Sequence, residues 1–477
     1  MIERHLGYYL GSKLIAAVVN LVAMALMVRI AGPETYGAYL LILAVAVIVY
    51  ALTMQWLRFA FFACFRQESA SALVVTYLAA LGIGFALTAI VAGALAGIGL
   101  VAADVAAGVG ALVVGLASYD ALHEMARTRL EARAVAVGVL TRAFLMPTLG
   151  VAALLVFATP LSLAVGVSLA HVGAAVPLVL NVAPEIKGSP SRAQAERLWA
   201  YGRPLVPAFG LDSLGNNLDR LLLARFAGVG DLGPYGAVAD LVRQVMIVAA
   251  EAISGAYMSI ARAAAVEGRH DEAGAVLGRA FLAYVTFTAF AALAILRFDR
   301  LLIDTLFGSS VGATVEPVLA LIVATGVTIV FRGYFFGQAL YLMESSHMLL
   351  VSNGVHTVTV AITGLLLVPE HGIPGAAAAL LAGSLAATLV YVYAWRNHYV
   401  LDLPYAEAAQ ILVLAVTAFL VSGMVERTSG HGVLAVTFNL MVFATLALVA
   451  ARRFDILSFN SLASVAWRMM TARGRSQ

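Results

Sequence analysis

The sequence is poor in charge, and this shortage excludes a water-soluble protein. Only 12% of its 477 residues are charged and 62% are hydrophobic, whereas a soluble globular protein carries about 25% charge. So few charges cannot cover the surface of a soluble protein of this size. The composition therefore predicts a polytopic membrane protein.

Several residue patterns needed for common chemistry are also missing. Cys64 is the only cysteine, which excludes an intramolecular disulfide and any site built from several cysteines. Neither of the two lysines, Lys13 and Lys187, follows the glycine spacing of a phosphate-binding loop, and the nine histidines include no pair at zinc-binding spacing. We therefore expect no catalytic residue, no metal and no cofactor other than a coupling proton or sodium ion. Nothing in the sequence indicates nucleic-acid binding.

Long apolar runs follow one another along the chain and predict membrane-spanning helices. A helix needs about 20 apolar residues to cross a bilayer, and continuously apolar runs favour helices over a barrel. The runs that meet this length are 10–30, 37–57, 72–100, 104–126, 135–157, 161–181, 204–226, 235–260, 277–297, 316–342, 348–368, 372–395, 406–425 and 431–451. When the segments between these spans are assigned to alternate sides of the membrane, most of the 29 lysines and arginines lie on the same side as the N-terminus. Arg142 is counted among them. The positive-inside rule places both termini in the cytoplasm.

Two short motifs recur and predict an internal repeat. The quartet RIAG at 29–32 and the triplet YGA at 36–38 reappear as RFAG at 225–228 and YGA at 235–237. Six predicted spans separate the copies, so both copies have the same membrane orientation, as in transporters built from parallel repeats. The predicted parts are a six-helix lobe at 1–181, a cytoplasmic linker at 182–203, a second six-helix lobe at 204–395, and two extra helices with a basic cytoplasmic tail at 396–477.

Four segments resemble a known family of membrane proteins. AGPETYGAYLLILA after the first span and PLVPAFGLDSLGNNLDRLLLARFAG in the seventh resemble segments of polysaccharide flippases. DRLLIDTLFGSSVGATVEPVLAL and LLLVPEHGIPGAAAALLAGSLAATLVYVY resemble later segments of the same proteins. These flippases belong to the multidrug/oligosaccharidyl-lipid/polysaccharide (MOP) exporter superfamily, and the resemblance extends from residue 5 to about 395.

The resemblance implies a function and a set of partners. It implies a flippase, with alternating access and ion coupling, that moves undecaprenyl-diphosphate-linked oligosaccharide across the bacterial inner membrane. Such proteins act in the synthesis of O-antigen, capsule or exopolysaccharide. The expected partners are the lipid-linked oligosaccharide, membrane lipids, and a polysaccharide polymerase with other export proteins.

Charged side chains inside the predicted spans mark the candidate site, since each costs about 2.5–3.5 kcal/mol at the bilayer centre. Arginine suits a diphosphate because its planar guanidinium binds phosphate oxygens in pairs. The residues expected to bind the diphosphate are Arg220, Arg243 and Arg332 within the spans, and Lys13 and Arg58 at the inner surface, where the headgroup would enter. The carboxylates expected to carry the coupling ion are Asp212, Asp219, Asp240, Glu251 and Asp120. The neutral polar residues expected in the cavity are Asn20, Asn216 and Gln244.

Each of these roles has a plainer alternative. Asp240 lies three residues before Arg243 on one helix face and would neutralise it, or would pair with Arg220 instead. Lys13 and Arg58 would simply extend toward the membrane surface. For the whole protein, the alternatives are a cation-coupled multidrug antiporter of the same superfamily and, in another class, a membrane-embedded polysaccharide polymerase or glycosyltransferase. Three arginines within the spans weigh against a cationic cargo, and the short predicted outer loops weigh against an enzyme.

Overall fold

Helices account for all regular structure in the described part of the chain. A computed structural model describes residues 2–66, 70–99, 101–340, 346–396, 403–429 and 433–456. The predicted basic tail, which follows residue 456, lies outside these residues. The absence of strands in the described ranges agrees with the continuously apolar runs, whose backbone groups are satisfied within each helix.

The α-helices are numbered in chain order. They are α1 (Ile2–Thr53), α2 (Gln55–Cys64), α3 (Ala70–Gly97), α4 (Ala103–Thr128), α5 (Ala132–Phe157), α6 (Pro160–Val182), α7 (Arg192–Gly202), α8 (Leu205–Gly215), α9 (Leu218–Phe226), α10 (Val229–Val266), α11 (His270–Arg297), α12 (Asp299–Phe307), α13 (Ser309–Val315), α14 (Leu319–Ile329), α15 (Gly337–Leu340), α16 (Ser346–His371), α17 (Ile373–Arg396), α18 (Tyr405–Ser429) and α19 (Val433–Arg453). A π-helical segment, Val330–Phe336, joins α14 to α15.

The predicted spans correspond to these helices. Within the described ranges, eleven helical stretches are long and apolar enough to cross a membrane. The first of them contains two predicted spans, because α1 bends sharply at Gly32. The predicted seventh span is the pair α8 and α9, and the eighth lies in the charged helix α10. The prediction of an all-helical polytopic membrane protein with about fourteen transmembrane helices is confirmed.

The glycine that ends each repeated quartet has the same unusual backbone conformation. Gly32 has a φ of 73° and Gly228 a φ of 95°, a region that residues with a Cβ atom seldom adopt. At Gly32 the chain changes direction within α1, and at Gly228 it passes from α9 into α10. The sequence match at these positions is therefore also a match of local structure.

The two repeated turns pack directly against each other through glycine. A Cβ atom on Gly37 would lie 1.9 Å from the carbonyl oxygen of Val229, and one on Gly233 would lie 2.2 Å from that of Pro33. Such contacts are far below the sum of van der Waals radii, and their partners are backbone atoms that cannot rotate away. Only residues without a side chain permit this approach.

Packing divides the chain into two compact units. The first unit comprises Met1–Leu241, Ile303–Val318 and Leu349–Ala386. In it, α1, α4, α5 and α6 pack side by side, and α8 packs on α1. The second unit comprises Val242–Leu302, Leu319–Met348 and Ala387–Gln477, and in it α11 packs on α14, α18 and α19.

Candidate functional site

A break in the predicted seventh span lies at the centre of the charged region of the first unit. Helix α8 ends at Gly215 and α9 begins at Leu218, with a turn at Asn216 and Asn217 between them. The side-chain amide of Asn216 donates to the carbonyl oxygen of Asp212 (2.8 Å) and to its carboxylate (3.0 Å). That of Asn217 donates to the carbonyl oxygen of Ser213 (2.8 Å). Amide side chains that bind nearby carbonyls compete with the helical hydrogen bonds, which accounts for the break.

A polar face of α16 supports this broken helix. The Asn353 amide donates to the carbonyl oxygen of Ala208 (3.1 Å), and the Thr357 hydroxyl donates to that of Leu211 (2.7 Å). His356 is fully buried beside Gly215, where a Cβ atom would lie 2.5 Å from its ring. This face was not predicted from the sequence, although the polar residues at 352, 353, 356 and 357 have the spacing of one helix face.

Arg220 forms a buried ion pair at the start of α9. It is 3% exposed, and its guanidinium donates to the carboxylate of Asp240 on α10. The neighbouring Asp219 is 1% exposed and accepts a hydrogen bond from the Tyr235 hydroxyl (2.7 Å). Of the alternatives open at the sequence level, the structure shows the pair between Arg220 and Asp240. The guanidinium is thus already engaged by a carboxylate.

A second ion pair joins the helices α2 and α4 of the first unit. Arg58 on α2 donates to Asp120 on α4 (3.1 Å), and the Tyr50 hydroxyl donates to the same carboxylate oxygen (2.8 Å). The two charged side chains remain 33% and 22% exposed. The structure therefore joins one predicted cargo residue, Arg58, to one predicted coupling residue, Asp120.

Arg142 lies inside the membrane-spanning part of α5, not in an inner loop as predicted. It follows the start of that helix by ten residues, a distance of about 15 Å along the axis. Its guanidinium lies over the ring of Tyr119, 4.8 Å from the centroid. The Tyr119 ring also contacts His123 (5.4 Å) and His171 (5.9 Å). The cluster of these four residues was missed because Arg142 was assigned to the membrane surface.

Polar atoms of this cluster have no partner in the described part of the chain. The Tyr119 hydroxyl and Nε of Arg142 are buried and make no hydrogen bond to any described residue. His171 binds the carbonyl oxygen of Val167 through Nδ1 (2.8 Å). Because a carbonyl only accepts, Nδ1 carries a proton, and Nε2 is the acceptor of the neutral ring. Buried polar groups without partners require an explanation, such as a bound group.

The remaining predicted residues lie at separate places. Arg243 is half-buried on α10 and, among the described residues, has no hydrogen-bonding or ion-pairing partner. Gln244 next to it is half-buried, and Glu251 farther along α10 is exposed. Arg332 is buried in the π-helical segment, a type of irregularity that often marks functional sites.

Two predicted residues lie on α1. Lys13 is exposed near the start of the helix. Asn20 is half-buried, and its side-chain oxygen has no hydrogen-bond partner in the described ranges.

The arrangement of helices matches solved membrane transporters. The lipid II flippase MurJ in an inward closed conformation has a TM-score of 0.71 at 8% sequence identity, with 93% of this chain and 98% of that chain covered. An inward-facing multidrug resistance MATE transporter of the MOP superfamily has a TM-score of 0.65 at 14% identity, covering 81% and 97%. The chain shares the fold of these two proteins. A eukaryotic MATE transporter also matches, with a TM-score of 0.58 at 12% identity, covering 87% and 98%.

These structural matches support the resemblance seen in the sequence at the level of the fold. The matched proteins are a flippase and transporters, not enzymes. No protein-family profile matches the sequence, and no curated protein sequence matches it significantly. The chain therefore has the fold seen in these multi-pass membrane proteins.

Proposed function

We propose that this protein is a flippase for undecaprenyl-diphosphate-linked oligosaccharide in the inner membrane of a bacterium. Both termini lie in the cytoplasm, and the two six-helix lobes provide alternating access. The glycan belongs to O-antigen, capsule or exopolysaccharide synthesis, next to a polymerase and other export proteins. The observation that carries the proposal is that two arginines within the predicted spans, Arg142 and Arg243, form no ion pair with a described carboxylate.

The lack of carboxylate partners at Arg142 and Arg243 favours an anionic cargo. An isolated guanidinium within a bilayer is costly, so such residues serve a transported group or a coupling path. A diphosphate supplies the paired oxygen acceptors that a guanidinium binds best. In the Arg142 cluster, the Tyr119 hydroxyl is a further donor toward a phosphate oxygen. An organic cation would be repelled at both positions.

The two ion pairs suit ion coupling. In the first pair Asp240 neutralises Arg220, and in the second Asp120 neutralises Arg58. A proton or sodium ion bound to the carboxylate would release the guanidinium for the diphosphate. An arriving diphosphate would, conversely, displace the carboxylate and make it available to the ion. Cargo binding and ion binding are then linked by competition for the same partner.

The proposal is tested by reconstitution with labelled undecaprenyl-diphosphate oligosaccharide. Accessibility of the glycan to an external digesting enzyme is followed over time, with and without an imposed proton or sodium gradient. We expect Arg243→Gln and Arg142→Gln to slow flipping by about tenfold or more, since each loses charge-assisted hydrogen bonds. Arg192→Gln is the control, because it removes a 92% exposed arginine that pairs with Glu196 outside the spans.

Two outcomes would contradict the proposal. Unchanged flipping in both variants, at normal membrane levels, would remove these arginines from the cargo site. Absence of flipping together with gradient-driven uptake of an organic cation would identify a multidrug antiporter. The four carboxylates Asp212, Asp219, Asp240 and Glu251 would then be its cation-binding groups.

A further inference from the structure

A cavity of about 710 Å³ lies in the second unit, away from the residues proposed to bind the diphosphate. It is bounded by the end of α11, the start of α12, the end of α18 and the start of α19. Because α18 and α19 are consecutive spanning helices, the end of α18 and the start of α19 lie at a membrane surface. The cavity is therefore at the depth of lipid headgroups.

The polar lining of the cavity contains both signs of charge. Arg297 forms an ion pair with Glu426, and its guanidinium also donates to the carbonyl oxygen of Ser422 (3.2 Å). Asp299 and Arg300, at the start of α12, line the same space. Two guanidinium groups and two carboxylates leave the cavity without net charge, which favours a zwitterionic ligand over a simple anion.

Asn439 on α19 indicates that the ligand of this cavity carries a hydrogen-bond donor. It is 4% exposed, it lines the cavity, and its side-chain oxygen has no hydrogen-bond partner in the described part of the chain. A buried amide oxygen without a partner costs roughly 1–3 kcal/mol. A ligand with an N–H group would satisfy it, whereas a ligand with only acceptors would not.

The rest of the lining is apolar. Leu296, Phe298, Leu301, Ala435 and Val436 lie beside the charged groups. Phe298 is backed by the ring of Phe443 at 5.7 Å. The ligand must therefore join a charged head to an apolar body.

We propose that this cavity binds a zwitterionic glycerophospholipid whose headgroup carries a protonated amine. The ammonium donates to Asn439 and is attracted by the carboxylates of Asp299 and Glu426. The phosphate lies toward Arg300, and the glycerol backbone with the first methylenes covers the apolar lining. The site is independent of the proposed flippase function, since neither Arg142 nor Arg243 lines it.

The experiment measures lipid binding to the full-length protein by native mass spectrometry. Phosphatidylethanolamine, phosphatidylcholine and phosphatidylglycerol are compared; the second has no N–H donor and the third has a net negative charge. We expect the first to bind tightest. Asn439→Leu should weaken its binding by about fivefold, the loss expected for one hydrogen bond, and leave phosphatidylcholine unaffected.

The control is Thr437→Val on the same helix. The Thr437 side chain is exposed and bonds to the carbonyl of Val433 (2.8 Å), so this variant should bind all three lipids normally. If Asn439→Leu does not fold, Asp299→Asn replaces it and should also weaken binding of phosphatidylethanolamine alone. Equal binding of the three lipids, unaffected by either variant, would overturn the proposal. Displacement of phosphatidylethanolamine by equimolar undecaprenyl phosphate would overturn it as well, in favour of a site for a polyprenyl carrier.

Discussion

The repeated segments at α1 and at α8–α9 begin from similar sequences and reach different structures. Both carry the Arg-x-Ala-Gly quartet and end it with a glycine at positive φ. Asn216 follows Asn20 by 196 residues, the same offset that separates the two quartets. Helix α1 continues without interruption through Asn20, whereas Asn216 lies in a break. One copy is a continuous helix up to its glycine, and the other is divided in its middle.

Neighbouring donors explain the difference. Around Asn216, side-chain amides of two consecutive asparagines bind carbonyl oxygens four residues earlier. Two further donors from α16, Asn353 and Thr357, bind carbonyls of α8. Asn20 stands alone, and its side-chain oxygen has no partner among the described residues. A single matching asparagine is therefore insufficient to break a helix, and a set of donors from a second helix is needed.

The matched arginines Arg29 and Arg225 also differ in the contacts that they make with other helices. Arg29 donates to three carbonyl oxygens at the end of α12, those of Asp304 (3.1 Å), Thr305 (2.7 Å) and Leu306 (2.8 Å). Carbonyl oxygens in the last turn of a helix have no hydrogen-bond donor within that helix, and Arg29 supplies donors to these three. Arg225 instead lies over the ring of its neighbour Phe226 at 5.7 Å. Of the two equivalent arginines, Arg29 therefore contributes more to the packing of helices than Arg225 does.

The largest effect is expected from the glycines of the repeated triplets. Gly37→Ala places a Cβ atom 1.9 Å from a backbone oxygen, whereas Gly236→Ala places one 2.3 Å from the flexible side chain of Leu40. We expect Gly37→Ala to lower the free energy of unfolding by about 3 kcal/mol or more. We expect a smaller loss for Gly236→Ala, because the Leu40 side chain can rotate away and relieve the overpacking. Thermal stability in detergent is the measurement. Gly93→Ala, in open space, is the control, and equal stability of all three variants would show that the turns do not pack as described.

An intermediate effect is expected from the matched arginines. Arg29→Ala should lower the free energy of unfolding by about 2 kcal/mol, since it removes charge-assisted hydrogen bonds. Arg225→Ala should cost less than about 1 kcal/mol, because it removes an exposed cation–π contact. Both values are obtained from detergent-denaturation curves. A larger loss for Arg225→Ala would reverse the inferred difference between the copies.

The smallest effect is expected from the matched asparagines. Asn216→Ala should cost about 1 kcal/mol, the net value of its hydrogen bonds. Asn20→Ala should be neutral or slightly stabilising, because it removes a buried oxygen that has no described partner. The same denaturation curves measure both. Equal losses would mean that the helix break does not depend on Asn216.

Most of the fold could be predicted because its causes are local. A run of about 20 apolar residues that satisfies its own backbone is a spanning helix in any neighbourhood. The glycine motifs at 29–32 and 225–228 likewise marked turns that the structure contains. The predicted seventh span agrees in extent with α8 and α9 together. Its division at Asn217 depends on donors from α16, such as Asn353, which lies 145 residues along the chain from its acceptor Ala208.

The candidate site was predicted only in part. The sequence placed Arg220 and Asp240 within predicted spans and left open which partner each has, and the structure shows that they pair with each other. Arg142 was counted with the arginines of the inner loops, although the predicted span 135–157 and helix α5 both contain it. The buried polar face of α16 was overlooked, since none of its residues except His356 is ionisable.

The sequence by itself determined that the protein lies in lipid, that it is helical and about how many helices are apolar enough to span the membrane. These properties follow from hydrophobicity and backbone hydrogen bonding, which act within one segment. Only the tertiary structure decided which charges are neutralised. Arg220 meets Asp240 because α9 and α10 lie together, and Arg58 meets Asp120 because α2 packs on α4. Electrostatic pairing depends on distances between helices, and no pattern along a single helix contains those distances.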